Sequence, residues 1–291
     1  MFTANTIPPR RRITNATPDQ KLEISTFLNQ DNLVHSHLDW FSPLDWLGQS
    51  PFLVEKLDQQ IQAILIAAPE VSDASWIRLF CVRHNLLVEE VWDRLLAKTA
   101  SLLISSNIQK LAALGTNDWF IQLLRQSCFT HQDDIVVLEW KGDYPSSINR
   151  NPMIAIRPMC TEDLPGVFHI DHSAFAPVWQ ISLASLTKAF NQPGISTVAL
   201  SQGQIVGYQI STTITIHSHL ARLAVHPDHQ GQQVASTLIE DLLQQFVRRG
   251  IWLATVNTQA HNKPSLAVYQ KFEFQRTQTN IPVYQRNLTT Q

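Results

Sequence analysis

Apolar residues recur at helical spacing most clearly in the last third of the chain. Ala235, Leu238, Ile239, Leu242, Leu243, Phe246 and Val247 fall at i, i+3, i+4 and i+7. They predict one long amphipathic helix starting near Gln232, with Arg248 and Arg249 at its negative end and Gly250 as a left-handed cap. Before it, β-rich runs predict strands at 196–200, 205–216 and 219–226, the first two joined by a turn at Gln202-Gly203. Further upstream, 154–156 reads as a strand, Thr161 caps a helix running toward Asp171, and 182–190 reads as a second helix. Downstream, 251–256 reads as a strand, and Asn262 caps a helix with Pro264 in its first turn. Two short strands, near Phe274 and at 283–286, complete an order β-α-α-β-β-β-α-β-α-β-β.

Gly, Pro, Ser and Asn crowd between two strand-like runs at 141–152, which reads as a linker between nearly equal halves. The halves echo one another faintly but in order. Arg12-Ile13-Thr14-Asn15-Ala16-Thr17-Pro18-Asp19 parallels Ile156-Arg157-Pro158-Met159-Cys160-Thr161-Glu162-Asp163, each a short strand followed by a helix start. Trp76-Ile77-Arg78-Leu79-Phe80-Cys81-Val82 parallels Leu220-Ala221-Arg222-Leu223-Ala224-Val225, each a strand before a long amphipathic helix. Two copies of one α+β unit are therefore expected.

Composition narrows the class. A 291-residue chain with 44% hydrophobic residues has ample material for two packed cores. Lys+Arg 22 against Asp+Glu 24 lacks the basic excess of a nucleic-acid binder. No apolar run reaches membrane-spanning length, and the polar start at Met1-Phe2-Thr3-Ala4 lacks a signal-peptide core. Cys81, Cys128 and Cys160 are widely spaced and odd in number, unlike a disulfide framework. A cytoplasmic protein is expected, without nucleic-acid or membrane partners.

The segment richest in chemistry is Leu223-Ala224-Val225-His226-Pro227-Asp228-His229-Gln230-Gly231-Gln232-Gln233-Val234-Ala235-Ser236. A buried strand runs through a tight turn into a helix N-terminus, where successive backbone N–H groups and the positive dipole end favour an anion. A plain strand–turn–helix connection fits the spacing equally well. A P-loop is excluded because Gly-Lys-Ser/Thr is missing, and a dinucleotide fold because the three glycines are missing. His217 and His219, with His226 or His229, have no carboxylate or cysteine to complete a metal site, and no metal is expected. His169 and His172 read as surface residues, and Phe175 and Trp179, beside Pro177, as core residues or as the lining of a pocket.

Residues 154–288 resemble the GCN5-related N-acetyltransferase (GNAT) superfamily. Four segments carry the resemblance: Ile156-Arg157-Pro158 followed by Glu162-Asp163-Leu164; Gln230-Gly231-Gln232-Gln233-Val234-Ala235; Val256-Asn257-Thr258-Gln259-Ala260-His261-Asn262; and Ser265-Leu266-Ala267-Val268-Tyr269-Gln270-Lys271-Phe272-Glu273-Phe274. The second is similar to the family's acyl-CoA pyrophosphate loop, Gln/Arg-x-x-Gly-x-Gly/Ala. Two positions depart from the pattern: Gln233 stands where the loop has Gly, and Glu273 where Gly precedes the final Phe.

The resemblance implies tandem GNAT units, each a mixed, mostly antiparallel twisted sheet flanked by helices, with 1–145 a degenerate copy without cofactor and 152–291 the acyl-CoA domain. It implies acetyl-CoA as co-substrate, held by Leu223, Ala224, Val225, the loop Gln230, Gly231, Gln232, Gln233, Val234, Ala235 and Ser236, and by Asn257, Asn262 and Ser265. Tyr269 is implied as the acid for the departing sulfur. His219, eleven positions before Gln230 where histone acetyltransferases of the superfamily carry a basic Glu, is a candidate base or a plain strand histidine. The implied reaction is direct acetyl transfer to a primary amine of a small molecule or a protein N-terminus, in a monomer or homodimer. A non-catalytic CoA-binding or interaction module is the alternative.

The first half lacks the loop. Arg83-His84-Asn85-Leu86-Leu87-Val88-Glu89-Glu90 has no glycine and two acids where a phosphate would sit, and the helix expected from Trp119 to Phe129 has no tyrosine. Arg10-Arg11-Arg12 reads as a solvated tail, or as a contact for the CoA 3′-phosphate or an acidic partner.

Overall fold

The computed structural model describes residues 10–71, 73–142 and 151–288; most of the expected linker, 143–150, lies outside them. The chain forms two compact units, Met1–Gln132 with Val283–Gln291, and Asp133–Pro282. It enters the second unit ahead of the expected linker and leaves it before the end, so neither unit is the simple half described by 1–145 and 152–291. The reason lies in two strands introduced below, β8 and β14.

The first unit contains β1 (Arg11–Asn15), α1 (Lys21–Leu28), β2 (Asn32–Ser36), β3 (Phe52–Leu57), β4 (Gln60–Ile66), β5 (Ala74–Trp76), β6 (Leu79–Arg83), α2 (Val88–Ser105), β7 (Lys110–Leu114), α3 (Asp118–Gln126) and the first residues of β8 (Thr130–Trp140). Five strands pair in the order β1-β3-β4-β6-β2. β5 runs parallel to β7, which pairs on its other side with residues 283–287. Trp92, Phe80, Phe120 and Leu95 form the centre of the core between sheet and helices. Arg11 and Arg12 are strand residues, not a tail: pairing with β3 orders them, and Arg11 Nε lies 3.0 Å from the buried Glu55 carboxylate.

The second unit contains the rest of β8, then β9 (Ile154–Pro158), α4 (Leu164–Ala174), α5 (Leu183–Phe190), β10 (Gly194–Ser201), β11 (Gln204–Ile214), β12 (His217–Val225), α6 (Val234–Arg248), β13 (Leu253–Gln259), α7 (Lys263–Lys271) and β14 (Gln275–Asn287) up to Pro282. β9, β10, β11 and β12 are antiparallel neighbours, β12 and β13 are parallel, and residues 135–140 of β8 pair antiparallel with β13. The expected mixed α+β unit is therefore present, with β8 as a strand that the 152–291 boundary left out. The two short closing strands are one strand, β14, and its last part belongs to the first unit. Pro282, which cannot donate to a ladder, marks the changeover.

Local chemistry explains the elements. Arg157 makes a two-point ion pair with Asp163, 2.6 and 2.7 Å, which ties the end of β9 to the turn that starts α4. The guanidinium holds the Asp163 carboxyl well below the usual carboxylate range. Asn262 Oδ1 accepts from Ser265 N–H, so this expected cap starts its helix, and Ser182 Oγ accepts from Ser185 N–H at the start of α5. Thr161, the other expected cap, instead lies within the short turn Thr161–Asp163 that leads into α4. The apolar stripe of α6 packs Leu238, Ile239, Leu242, Leu243 and Phe246 against the sheet, each contributing about 1.5–3 kcal/mol of burial.

Candidate active site

The site begins where two parallel strands part. β12 pairs with β13 only through Leu220↔Val256. It then continues to Val225 with β11 alone, because a bulge at Ala221 turns it away. The strand edge facing the opening presents ladder N–H and C=O groups at Arg222–Val225 without a strand partner among the described residues. Gly207 lets α6 close on this edge: a Cβ there would stand 3.0 Å from both the Ala224 carbonyl oxygen and Val234 Cγ1.

The chain leaves β12 through a short turn at Pro227–His229 and reaches α6 over Gly231 and Gln233, both at positive φ (76° and 64°). This crank aims the first N–H groups of α6 into the opening, where the helix offers them no acceptor. A cavity of about 500 Å³ results, lined by Leu223, Ala224, Val225, by Gln230, Gly231, Gln233, Val234, Ala235 and Ser236, and by Asn262, Ser265 and Tyr269. Those twelve are residues expected from sequence. Ala174, Phe175, His229, Pro264 and Val268 complete the wall.

Three expected residues stand outside the lining. Gln232 turns away, its carbonyl accepting from Asn151 Nδ2 and its side chain donating to the Asp228 carbonyl. Asn257 lies on β13 opposite Val137 of β8. His219, the candidate base, is placed by the sheet register opposite Thr255, and its Nδ1 lies 2.8 Å from the Thr255 hydroxyl. Burial pushes its imidazole below the ordinary histidine value. Pairing holds His219 below the opening, outside the cavity lining, bonded across the ladder as in the strand-histidine reading. Among the described residues, no three His, Cys, Asp or Glu side chains are arranged to hold a metal ion.

Tyr269 is 5% exposed, on α7, with its ring 5.7 Å from that of Phe274. Burial pushes the phenol above the ordinary tyrosine range, so it keeps its proton and is a donor. Gln233 adopts the left-handed conformation that suits glycine, as does Glu273 at φ 61°. A side chain there costs about 1–2 kcal/mol, offset in part by the lower entropy of the unfolded chain. Gln233→Gly is therefore expected to stabilise the protein by about 0.5–1 kcal/mol in urea unfolding. An unchanged or lower midpoint would place no strain at this position.

Beneath the site is a buried polar network that sequence reasoning missed. Asp171 on α4 is 0% exposed and accepts from Arg222 Nε (2.8 Å), Arg222 Nη2 (2.9 Å) and the Tyr208 hydroxyl (2.5 Å). The first unit builds a similar clamp on Arg78, the residue that parallels Arg222 in the sequence echo. Arg78 binds Asp39 and, at 2.9 Å, Glu70.

The family model of the acetyltransferase (GNAT) family matches residues 164–274. The [ribosomal protein bS18]-alanine N-acetyltransferase of Escherichia coli K12 is 27% identical over 124 residues, 42% of this chain and 81% of the relative. A putative enzyme of the same description from Bacillus subtilis is 22% identical over 121 residues, 42% of this chain and 80% of its own. In fold, a GCN5-related N-acetyltransferase from Sphaerobacter thermophilus covers 98% of both chains at TM-score 0.62 and 14% identity. A tandem GNAT protein from the clavulanic acid biosynthesis pathway covers 97% of this chain and 100% of its own at TM-score 0.63 and 10% identity. With the splayed strands, residues 164–274 form a domain of the acetyltransferase (GNAT) family, in a chain whose fold is like that of tandem GNAT proteins.

Proposed function

We propose that the second unit transfers an acetyl group from acetyl-CoA to a primary amine, and that it is the single acyl-CoA site of the chain. The observation that carries this reading is the cavity that joins the crank at 230–236, the free edge of β12 and the Tyr269 phenol in one space. The N–H groups at the start of α6 suit a pyrophosphate, and the open edge near Ala224 and Val225 suits an amide-bearing arm and a developing oxyanion. When bound, acetyl-CoA supplies an activated thioester. The amine nitrogen forms the new C–N bond as the C–S bond breaks, its proton passing to water. Tyr269 donates its O–H to the sulfur that leaves. A thiol has a pKa of about 8.5, below that of this phenol, so the hydroxyl stabilises a thiolate by hydrogen bonding rather than giving up its proton.

The acceptor is first sought among protein N-terminal amines, because the curated relatives are described as acting on an alanine of a ribosomal protein. The test is release of free CoA from acetyl-CoA with a panel of peptides beginning in alanine and of small primary amines. Turnover with peptides supports the reading, turnover with small amines alone moves the acceptor class, and binding without any turnover overturns it.

The geometry of the first unit supports a single site. There β6 has the same opening, since β5 pairs with β7 only through Trp76↔Ala112. But β2 fills it: residues 32–36 pair antiparallel with residues 79–83, along the edge left open on β12. His35 on β2 completes the closure, its ring stacked 3.8 Å from Phe120 and its Nδ1 2.9 Å from Thr116 Oγ1. Glu89 and Glu90 in the first turn of α2 add like charge to any phosphate there. Calorimetric titration with acetyl-CoA is expected to give one site per chain, lost in Ala235→Glu. Two sites, or binding that survives this substitution, would overturn the assignment.

A further inference from the structure

We propose that Phe175 is the acyl-length gauge of the second unit's cleft, held in position by Arg222. The inference rests on the reading of that cleft as an acyl-CoA site. Phe175 is the residue at which α4 ends, its N–H bonded to the Asp171 carbonyl, and its side chain lines the cavity together with Ala174, Ala224 and Tyr269. Its ring lies against Arg222 of β12, two residues before Ala224 on the open strand edge, in the same cavity as the Tyr269 phenol.

A gauge must be stiff. The Arg222 guanidinium covers the Phe175 ring, with Cζ 3.9 Å from its centroid. The guanidinium cannot swing aside. Its Nε and Nη2 are held by both oxygens of Asp171, and Nη2 also donates to the Trp179 carbonyl at 2.7 Å. The backbone is tied as well: Gln180 Nε2 donates to the carbonyls of Phe175 and His172, each at 3.0 Å. Ring, cation and loop thus form one fixed wall, and a chain longer than the space it leaves must displace all of them. The first unit isolates what is particular here. Arg78 lies 3.9 Å from the ring centroid of Trp46, but Trp46 is 3% exposed and belongs to the core. The clamp is shared, whereas presenting its aromatic to a cavity is a property of the second unit. Arg222 is accordingly a positioning residue and Phe175 the residue that meets the acyl chain.

One misfitting methylene in a hydrophobic pocket is worth about 10- to 200-fold in kcat/KM. Full-length wild-type protein is expected to favour acetyl- over butyryl-CoA by at least about tenfold with one fixed amine. Phe175→Ala should lower that ratio by about tenfold or more, with the amine KM little changed, and Phe175→Leu should restore part of it. Arg222→Lys, which cannot make the two-point contact, should shift the ratio in the same direction. The ratio compares two thioesters on one preparation, so a partly unfolded variant does not distort it. An unmoved ratio in Phe175→Ala overturns the proposal, as does a raised amine KM with unmoved acyl preference, which assigns the ring to the acceptor. A wild type that neither binds nor uses acetyl-CoA fails the underlying reading instead, so the two failures are told apart.

Discussion

Tyr269→Phe is expected to lower kcat by about 10²-fold, with little change in the KM for acetyl-CoA. The substitution removes one oxygen and keeps the ring, so the packing against Phe274 and the shape of the cavity wall persist. What is lost is a hydrogen bond that forms fully only as the sulfur gains charge, and an interaction of that kind appears in kcat rather than in ground-state binding. The size follows from the acid's strength. A phenol raised above its ordinary range is a poor proton donor to a thiolate, so the expected loss lies at the lower end of general-acid effects. The same shift fixes the pH behaviour. Tyr269 stays protonated through pH 9, so wild-type kcat/KM should rise with pH as the amine loses its proton, without a falling limb below about pH 10. A Phe variant with at least half the wild-type kcat would leave Tyr269 as a packing residue.

Which parts of this site were legible in the sequence follows from how locally each is encoded. The crank at 230–236 and the cap at Asn262 each lie in one run of residues, and twelve of the fifteen expected residues line one cavity. The strain at Gln233 and Glu273 was legible for the same reason, as non-glycine residues where the pattern has glycine. His219 stayed open between base and strand residue because spacing along a strand does not say where its pairing ends; here it ends at the bulge at Ala221. β2 is five residues, Asn32-Leu33-Val34-His35-Ser36, with no strong pattern of its own, and becomes a strand because an unpaired edge stands beside it. The joining of β8 to β13 was hidden too, since a run rich in Gly, Pro and Ser marks a break between strand-like segments and not which strands pair. Asp171 and Arg222 are 51 positions apart, each unremarkable where it stands.

Removing the Asp171 carboxylate should have the largest effect on stability. Asp171→Ala is expected to cost about 3–5 kcal/mol, read as a fall in the unfolding midpoint in urea. Three donors converge on this side chain: two guanidinium nitrogens and the Tyr208 hydroxyl. Arg222 is itself largely buried, with a side-chain exposure of 13%, so truncation leaves a cation with its main acceptor gone in a medium that solvates it poorly. The Trp179 carbonyl alone cannot compensate, because it meets only one of the guanidinium nitrogens. Tyr208→Phe removes a neutral donor and spares the ion pair, so its cost should be smaller, about 1.5–3 kcal/mol. The pairing is tested by removing both charges. Asp171→Leu combined with Arg222→Met should be less destabilised than Asp171→Ala alone, because no unpaired charge remains, and that sign of non-additivity separates a paired charge from simple loss of packing. A cost below about 1 kcal/mol for Asp171→Ala would mean that water reaches Arg222 and that the clamp does not hold the α4–α5 segment to the sheet.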